Sequence, residues 1–141
     1  MKRSSRKRTG FVYVIFKDKK PFIYSDNGIY FDESKIIYIG KTMNIKSRML
    51  QHFNRDSRIG IGTKALNQFG RVSVYYVETE TIAIMNVLEC VLINHFFPMF
   101  NGESKYNSHA FTIPKSSFAW RYFNPSKMKL YIETFKKNNH A

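Results

Sequence analysis

The sequence predicts an α+β domain in which helices pack against a short sheet. Three observations carry this. Two runs of aromatic and β-branched residues, GFVYVIF and IIYIG, read as strands buried on both faces. Directly after the second, the apolar spacing switches to that of a helix. Further on, the alternating run RVSVYYVET is followed by an apolar segment of helical length.

Each element follows in chain order. Residues 1–9 hold five cations, Lys2, Arg3, Arg6, Lys7 and Arg8, and no acid, the composition of a basic arm able to reach phosphates. GFVYVIF from Gly10 is the first strand. Between about residues 17 and 35 lies an inserted hairpin: in PFIYSDNGIYF, Asn27-Gly28 sits between two short apolar runs, a tight-turn signal that gives Gly28 a structural reason to be glycine. IIYIG, ending at Gly40, is the next strand. KTMNIKSRMLQHF is helical, with Ile45, Met49 and Phe53 on one stripe and Thr42 or Asn44 available as cap. Arg48 and His52, four apart, share a face of that helix. NRDSRIGIG reads as a loop, TKALNQFG as a short helix stopped by Gly70, and RVSVYYVET as a strand. TIAIMNVLECVLINHFF is a long, mostly buried helix ending near Pro98. A polar extension occupies 102–141, in which MKLYIETFKK is a closing helix.

At 141 residues the chain suits one domain with a core, and 43% hydrophobic with 16% aromatic residues exclude a disordered body. Lysine and arginine outnumber acids 23 to 10, and the net +13 draws polyanions, so nucleic acid is the expected partner. The single cysteine, Cys90, cannot form an internal disulfide; in its apolar run it reads as buried filler in a reducing cytoplasm. No apolar segment follows MKRSSRKR and the longest apolar run is broken by Asn86 and Glu89, so neither a secretory leader nor a membrane span is expected. Zinc-type Cys/His clusters, a phosphate-binding glycine loop and a Gly-x-Ser-x-Gly elbow are absent from the sequence.

Glu89 is the residue out of place. Its neighbours three and four positions away are Met85, Asn86, Leu92 and Ile93, so no cation of its own helix can pair with it. A carboxylate there points to solvent, meets a distant cation or binds a metal. Phosphodiester hydrolysis needs a cation on the phosphate, a hard metal held by carboxylate oxygen and a group that activates water. Arg48, Glu89, His52 and the tyrosines are residues of those types.

The set GFVYVIF, YIGKT, Arg48 eight residues after Gly40, His52 one turn on, and ECVLINHFFPMFN with Glu89 and Asn101 resembles the GIY-YIG nuclease superfamily over roughly residues 10–101. Five elements in order make the resemblance specific. It implies a three-stranded antiparallel sheet flanked by helices and a divalent-metal-dependent DNA endonuclease. It also implies that Glu89 is the sole protein ligand of Mg²⁺ or Mn²⁺ and that Arg48 holds the scissile phosphate. Tyr13 and Tyr38 position or deprotonate water, with Lys41, Arg48 or the metal lowering a phenol's pKa, while His52 relays a proton or binds phosphate. Gly40, Lys41 and Asn101 support the site. From its own place in TKALNQFG, Lys64 either faces the DNA backbone or is an exposed lysine on a short helix. Tyr13 and Tyr38 are separated by more residues than is usual for the family; the inserted hairpin accounts for that, and makes Tyr13 rather than Tyr30 the first-motif tyrosine. Double-stranded DNA is the expected substrate, in the manner of a compact phage, bacterial or homing-type enzyme, with dimerisation open. A nucleic-acid-binding module without catalysis is the alternative, since aromatic strands also stack bases.

Overall fold

The computed structural model describes residues 9–17, 22–31, 36–53, 60–96, 98–101 and 112–135. Lys2, Arg3, Arg6, Lys7 and Arg8 of the basic arm lie outside the described residues.

A four-stranded antiparallel sheet forms the centre, in the order β4 (Ile36–Thr42), β1 (Gly10–Lys17), β5 (Arg71–Thr79), β7 (Lys129–Phe135). β1 lies inside the sheet, and its run of large apolar residues follows from burial on both faces: Val12, Val14 and Phe16 face one layer, Tyr13 and Ile15 the other. On the first face lies α3 (Ile82–Phe96), through Met85, Leu88, Leu92 and Phe96. The second is covered by α1 (Ile45–His52) and α2 (Ile61–Phe69), through Met49 and Ala65. Fully burying a side chain such as Leu88 contributes about 2 kcal/mol.

Two irregularities set which side chains reach the second face. β1 pairs Ile15 with Tyr38 and Phe16 with Ile36, so Ile37 is an extra residue and turns to the same side as Tyr38. β5 pairs Val74 with Ile132 and Tyr75 with Leu130, leaving Tyr131 as the extra residue of β7.

The inserted hairpin is present as β2 (Phe22–Ser25) and β3 (Gly28–Phe31), and it builds a second sheet with β6 (Thr112–Pro114). Ser25 pairs with Gly28, so the turn residues are Asp26-Asn27, one position earlier than expected. Gly28 still requires glycine: its φ is +150° and a Cβ would run into the Ile113 carbonyl of β6.

The α+β class stands, with four corrections of detail. The main sheet has a fourth strand, and MKLYIETF supplies it as β7 in place of a closing helix. Helix α2 begins at Ile61, inside the segment expected to be loop, because Gly62 lets it close on the Phe53 ring. Helix α3 is buried on one side only, with Val87 51% and Val91 40% exposed on the other. Cys90 lies on that outer side, exposed, its Sγ accepting from Asn94 Nδ2 at 3.4 Å. Among the described residues, no helix is long and apolar enough to cross a membrane.

Candidate active site

β4 and α1 are joined by a tight link that fixes where Arg48 lies. Thr42 Oγ1 accepts from the Asn44 N–H at 3.0 Å, and Asn44 caps the helix by accepting the Ser47 N–H at 3.0 Å. Arg48 then starts the hydrogen-bonded helix, its N–H donating to the Asn44 carbonyl at 3.0 Å.

The side chains of Tyr13, Tyr38, Arg48 and His52 gather on the face of the sheet covered by α1 and α2. Tyr13 stands directly across from Gly40, and its ring lies over that glycine. A Cβ at Gly40 would meet the Tyr13 hydroxyl and come to 2.8 Å from Tyr38 Cε2, so the glycine makes room for both rings. The Tyr13 and Tyr38 ring centres are 6.1 Å apart, and His52 stands edge-on to both, at 5.4 and 5.5 Å. Arg48 Nε donates to the Tyr13 hydroxyl at 3.2 Å, and that hydroxyl lies 2.7 Å from His52 Nε2. Arg48 can only donate, so Tyr13 accepts from it; the sense of the Tyr13–His52 hydrogen bond is set by the imidazole tautomer. Arg48 Nη1 donates to Gln51 Oε1 at 2.9 Å, which fixes the plane of the guanidinium.

Electrostatics divides these groups by role. Tyr13 has no exposed surface, and burial raises its pKa well above that of a free phenol despite Arg48. Arg48 does act to lower this phenol's pKa, but desolvation outweighs it. His52 is pushed down to about 4, first by burial and then by the Arg48 charge, so it is neutral near pH 7. The hydrogen bond to Tyr13 raises the Arg48 pKa and keeps it cationic. Tyr38 is the half-exposed member of the pair.

Glu89 lies in a different group. It projects from α3 towards the opposite face of β4, where Lys41 Nζ is 3.5 Å from its Oε1. Lys41 also donates to Asn86 Oδ1 at 2.8 Å. Of the three fates open to Glu89, the distant cation is thus realised, and Lys41 serves the carboxylate rather than a tyrosine. Gly40 and Lys41 are consecutive, so β4 carries the tyrosine cluster on one side and the carboxylate on the other. Asn101, in the 3₁₀ turn Met99–Asn101, clamps the outer edge of this strand: its Oδ1 accepts the Ile39 N–H at 2.9 Å and its Nδ2 donates to the Ile39 carbonyl at 2.8 Å. Lys64 is exposed on α2, with Nζ 5.6 Å from the Phe100 ring centre.

The donor set fits a hard divalent cation held by few protein atoms. Among the described residues no three His, Cys, Asp or Glu side chains gather, while Glu89 offers carboxylate oxygens beside a strand edge. Magnesium is commonly bound by one or two carboxylates, with water and substrate phosphate completing its shell. Sequence reasoning missed Asn86 and Gln51 as parts of the arrangement. For Asn86 a signal existed: it and Glu89, three apart, are the polar breaks in one apolar helix, hence on one stripe.

The sequence profile of the UvrC-like GIY-YIG domain matches residues 12–102, well over half of the chain. UvrABC system protein C of Dictyoglomus thermophilum is 34% identical over 97 residues, which span 67% of this chain and 16% of that protein. The proteins of the same name from the Wolbachia of Drosophila simulans and of Culex pipiens are 36% and 37% identical over 73 residues, half of this chain and 11% of each of them. The chain thus spans less than a fifth of the length of these relatives. No solved structure matches it. A profile match over well over half of the chain, with a relative 34% identical over 67% of it, shows that the chain belongs to the UvrC-like GIY-YIG domain family.

Proposed function

We propose that the chain is a divalent-metal-dependent endonuclease that hydrolyses phosphodiester bonds of double-stranded DNA. The observation that carries this is the Arg48–Tyr13–His52 network beside Tyr38, held on the same edge strand that presents Lys41 to Glu89. Arg48 is the phosphate-binding residue. Tyr13 and Gln51 take two of the five N–H donors of its guanidinium and fix its aim, and donors remain for a phosphate oxygen whose charge grows in the transition state. Half-exposed Tyr38 orients the water. Buried Tyr13 is a positioning residue that connects Arg48 and His52. His52 Nε2 is the neutral base of the cluster, reached through the tyrosine hydroxyls; with a pKa near 4 beside Arg48, it passes a proton on rather than keeping it. Glu89 would hold Mg²⁺ or Mn²⁺, which when bound supplies charge neutralisation at the phosphate and the leaving oxygen.

The net charge of +13 supports a polyanionic substrate. The relatives found direct the reading to the UvrC type of this domain; a phage- or homing-type role draws no support from them. A separate observation favours nucleic-acid contact without catalysis: a cleft of about 450 Å³ is lined by Phe11, Tyr76, Lys127 and Lys129, aromatic and cationic groups suited to bases and phosphates, together with Glu78 and Glu80.

Supercoiled, linear and single-stranded DNA incubated with Mg²⁺ distinguish the two. Cleavage is expected in wild type and, in Glu89→Ala, lowered at least about 100-fold with DNA affinity changed less than about threefold. Equal cleavage by that variant overturns the proposal.

A further inference from the structure

We propose that Lys41 is a resident cation that makes metal capture at Glu89 conditional on bound phosphate. This rests on the metal-binding role of Glu89 proposed above. Asn86 and Glu89 lie three apart on α3, on one stripe facing β4, and Lys41 Nζ reaches both, at 2.8 Å from Asn86 Oδ1 and 3.5 Å from Glu89 Oε1. The ammonium is thus held by two acceptors of different charge. The Glu89 side chain is 19% exposed, a position where a carboxylate without a counter-charge is unfavourable, and Lys41 supplies that charge.

Lys41 would compete with a dication for the Glu89 oxygens and would repel it at short range. Asn86, being neutral, lets Lys41 stay on α3 after the carboxylate is taken, which leaves two cations side by side. That arrangement is unfavourable until negative charge joins it, and a DNA phosphate at the β4 edge provides it. Metal and DNA therefore raise each other's affinity by one common factor. In the free protein Lys41 holds metal affinity down, by about threefold to tenfold for a partly exposed pair.

The test uses Mn²⁺ as probe. Its binding to the full chain is followed by electron paramagnetic resonance, and the affinity for a short phosphorothioate duplex is measured with Mn²⁺ and with chelator. Lys41→Met, which keeps the aliphatic stem, should bind Mn²⁺ about threefold to tenfold more tightly than wild type without DNA. The ratio of its duplex affinities with and without Mn²⁺ should shrink by the same factor. Lys41→Arg retains the charge and should stay within about twofold of wild type. Asn86→Leu removes the neutral acceptor, leaves the ammonium on Glu89 and should weaken Mn²⁺ binding. Unchanged or weaker Mn²⁺ binding in Lys41→Met overturns the role of Lys41, provided Glu89→Gln abolishes binding. Wild-type Mn²⁺ affinity in Glu89→Gln instead overturns the metal assignment itself.

Discussion

Burial and the neighbouring Arg48 charge keep the His52 imidazole neutral, and this has a measurable consequence for stability. An unfolded chain takes up a proton at this histidine near 6.5, the folded one only near 4. Between those values the unfolded state binds more protons, so the stabilisation is complete above about pH 6.5 and is lost as pH falls towards 4. The loss from this group is on the order of 2–3 kcal/mol. In His52→Gln the difference between urea midpoints at neutral pH and at pH 4.5 should shrink; an unchanged difference would mean that His52 is not the group responsible. Gly40→Ala tests the other contact of Tyr13. Its methyl meets both tyrosine rings, so it should destabilise by about 1–3 kcal/mol and slow cleavage at least tenfold, read by urea unfolding and a plasmid assay. At this scale the sequence was informative about which residues gather and silent about their charge states. NGIY spells the family's name, yet Tyr30 pairs within the second sheet while Tyr13 lies across from Gly40. The raised pKa of Tyr13 depends on how completely two helices seal it, a property of packing that no local motif records.

Among the elements, β4 depends on Asn101 more than its length suggests. β4 is an edge strand, and the Asn101 amide takes both outward backbone groups of Ile39, as a neighbouring strand would. Asn101→Ala removes both bonds and should lower stability by about 1–3 kcal/mol. Asn101→Asp keeps the acceptor for the N–H but sets a carboxylate oxygen against the Ile39 carbonyl, so it should be no better than alanine, which urea denaturation of both variants checks. β7 shows why one element was illegible. Its extra residue turns Tyr131 and Ile132 to the same side, so the apolar residues Met128, Tyr131, Ile132 and Phe135 fall at helix-like spacing although the backbone is extended. β1 and β5 carry no such break and read correctly. The turn of the inserted hairpin was displaced by one residue because Gly28 answers to the approach of Ile113 from β6, a contact distant in sequence.

For the molecule as a whole, the region matched by the family profile is only part of the folded unit. It ends at residue 102, but β6 completes the second sheet and β7 the first, and Tyr122 and Phe123 are buried in the core under α3. A chain cut after residue 102 should lose cooperative unfolding and elute as aggregate, which circular dichroism and size-exclusion chromatography check. The late position of β7 also bears on synthesis. A ribosome delivers β1, β4, β5 and α3, with every residue of the proposed active site, before it delivers the strand that covers β5. Until residues 129–135 emerge, β5 offers an open row of backbone donors and acceptors to any neighbouring nascent chain. Codon pace and chaperone access while residues 80–135 are made are therefore expected to govern how much active protein a cell obtains.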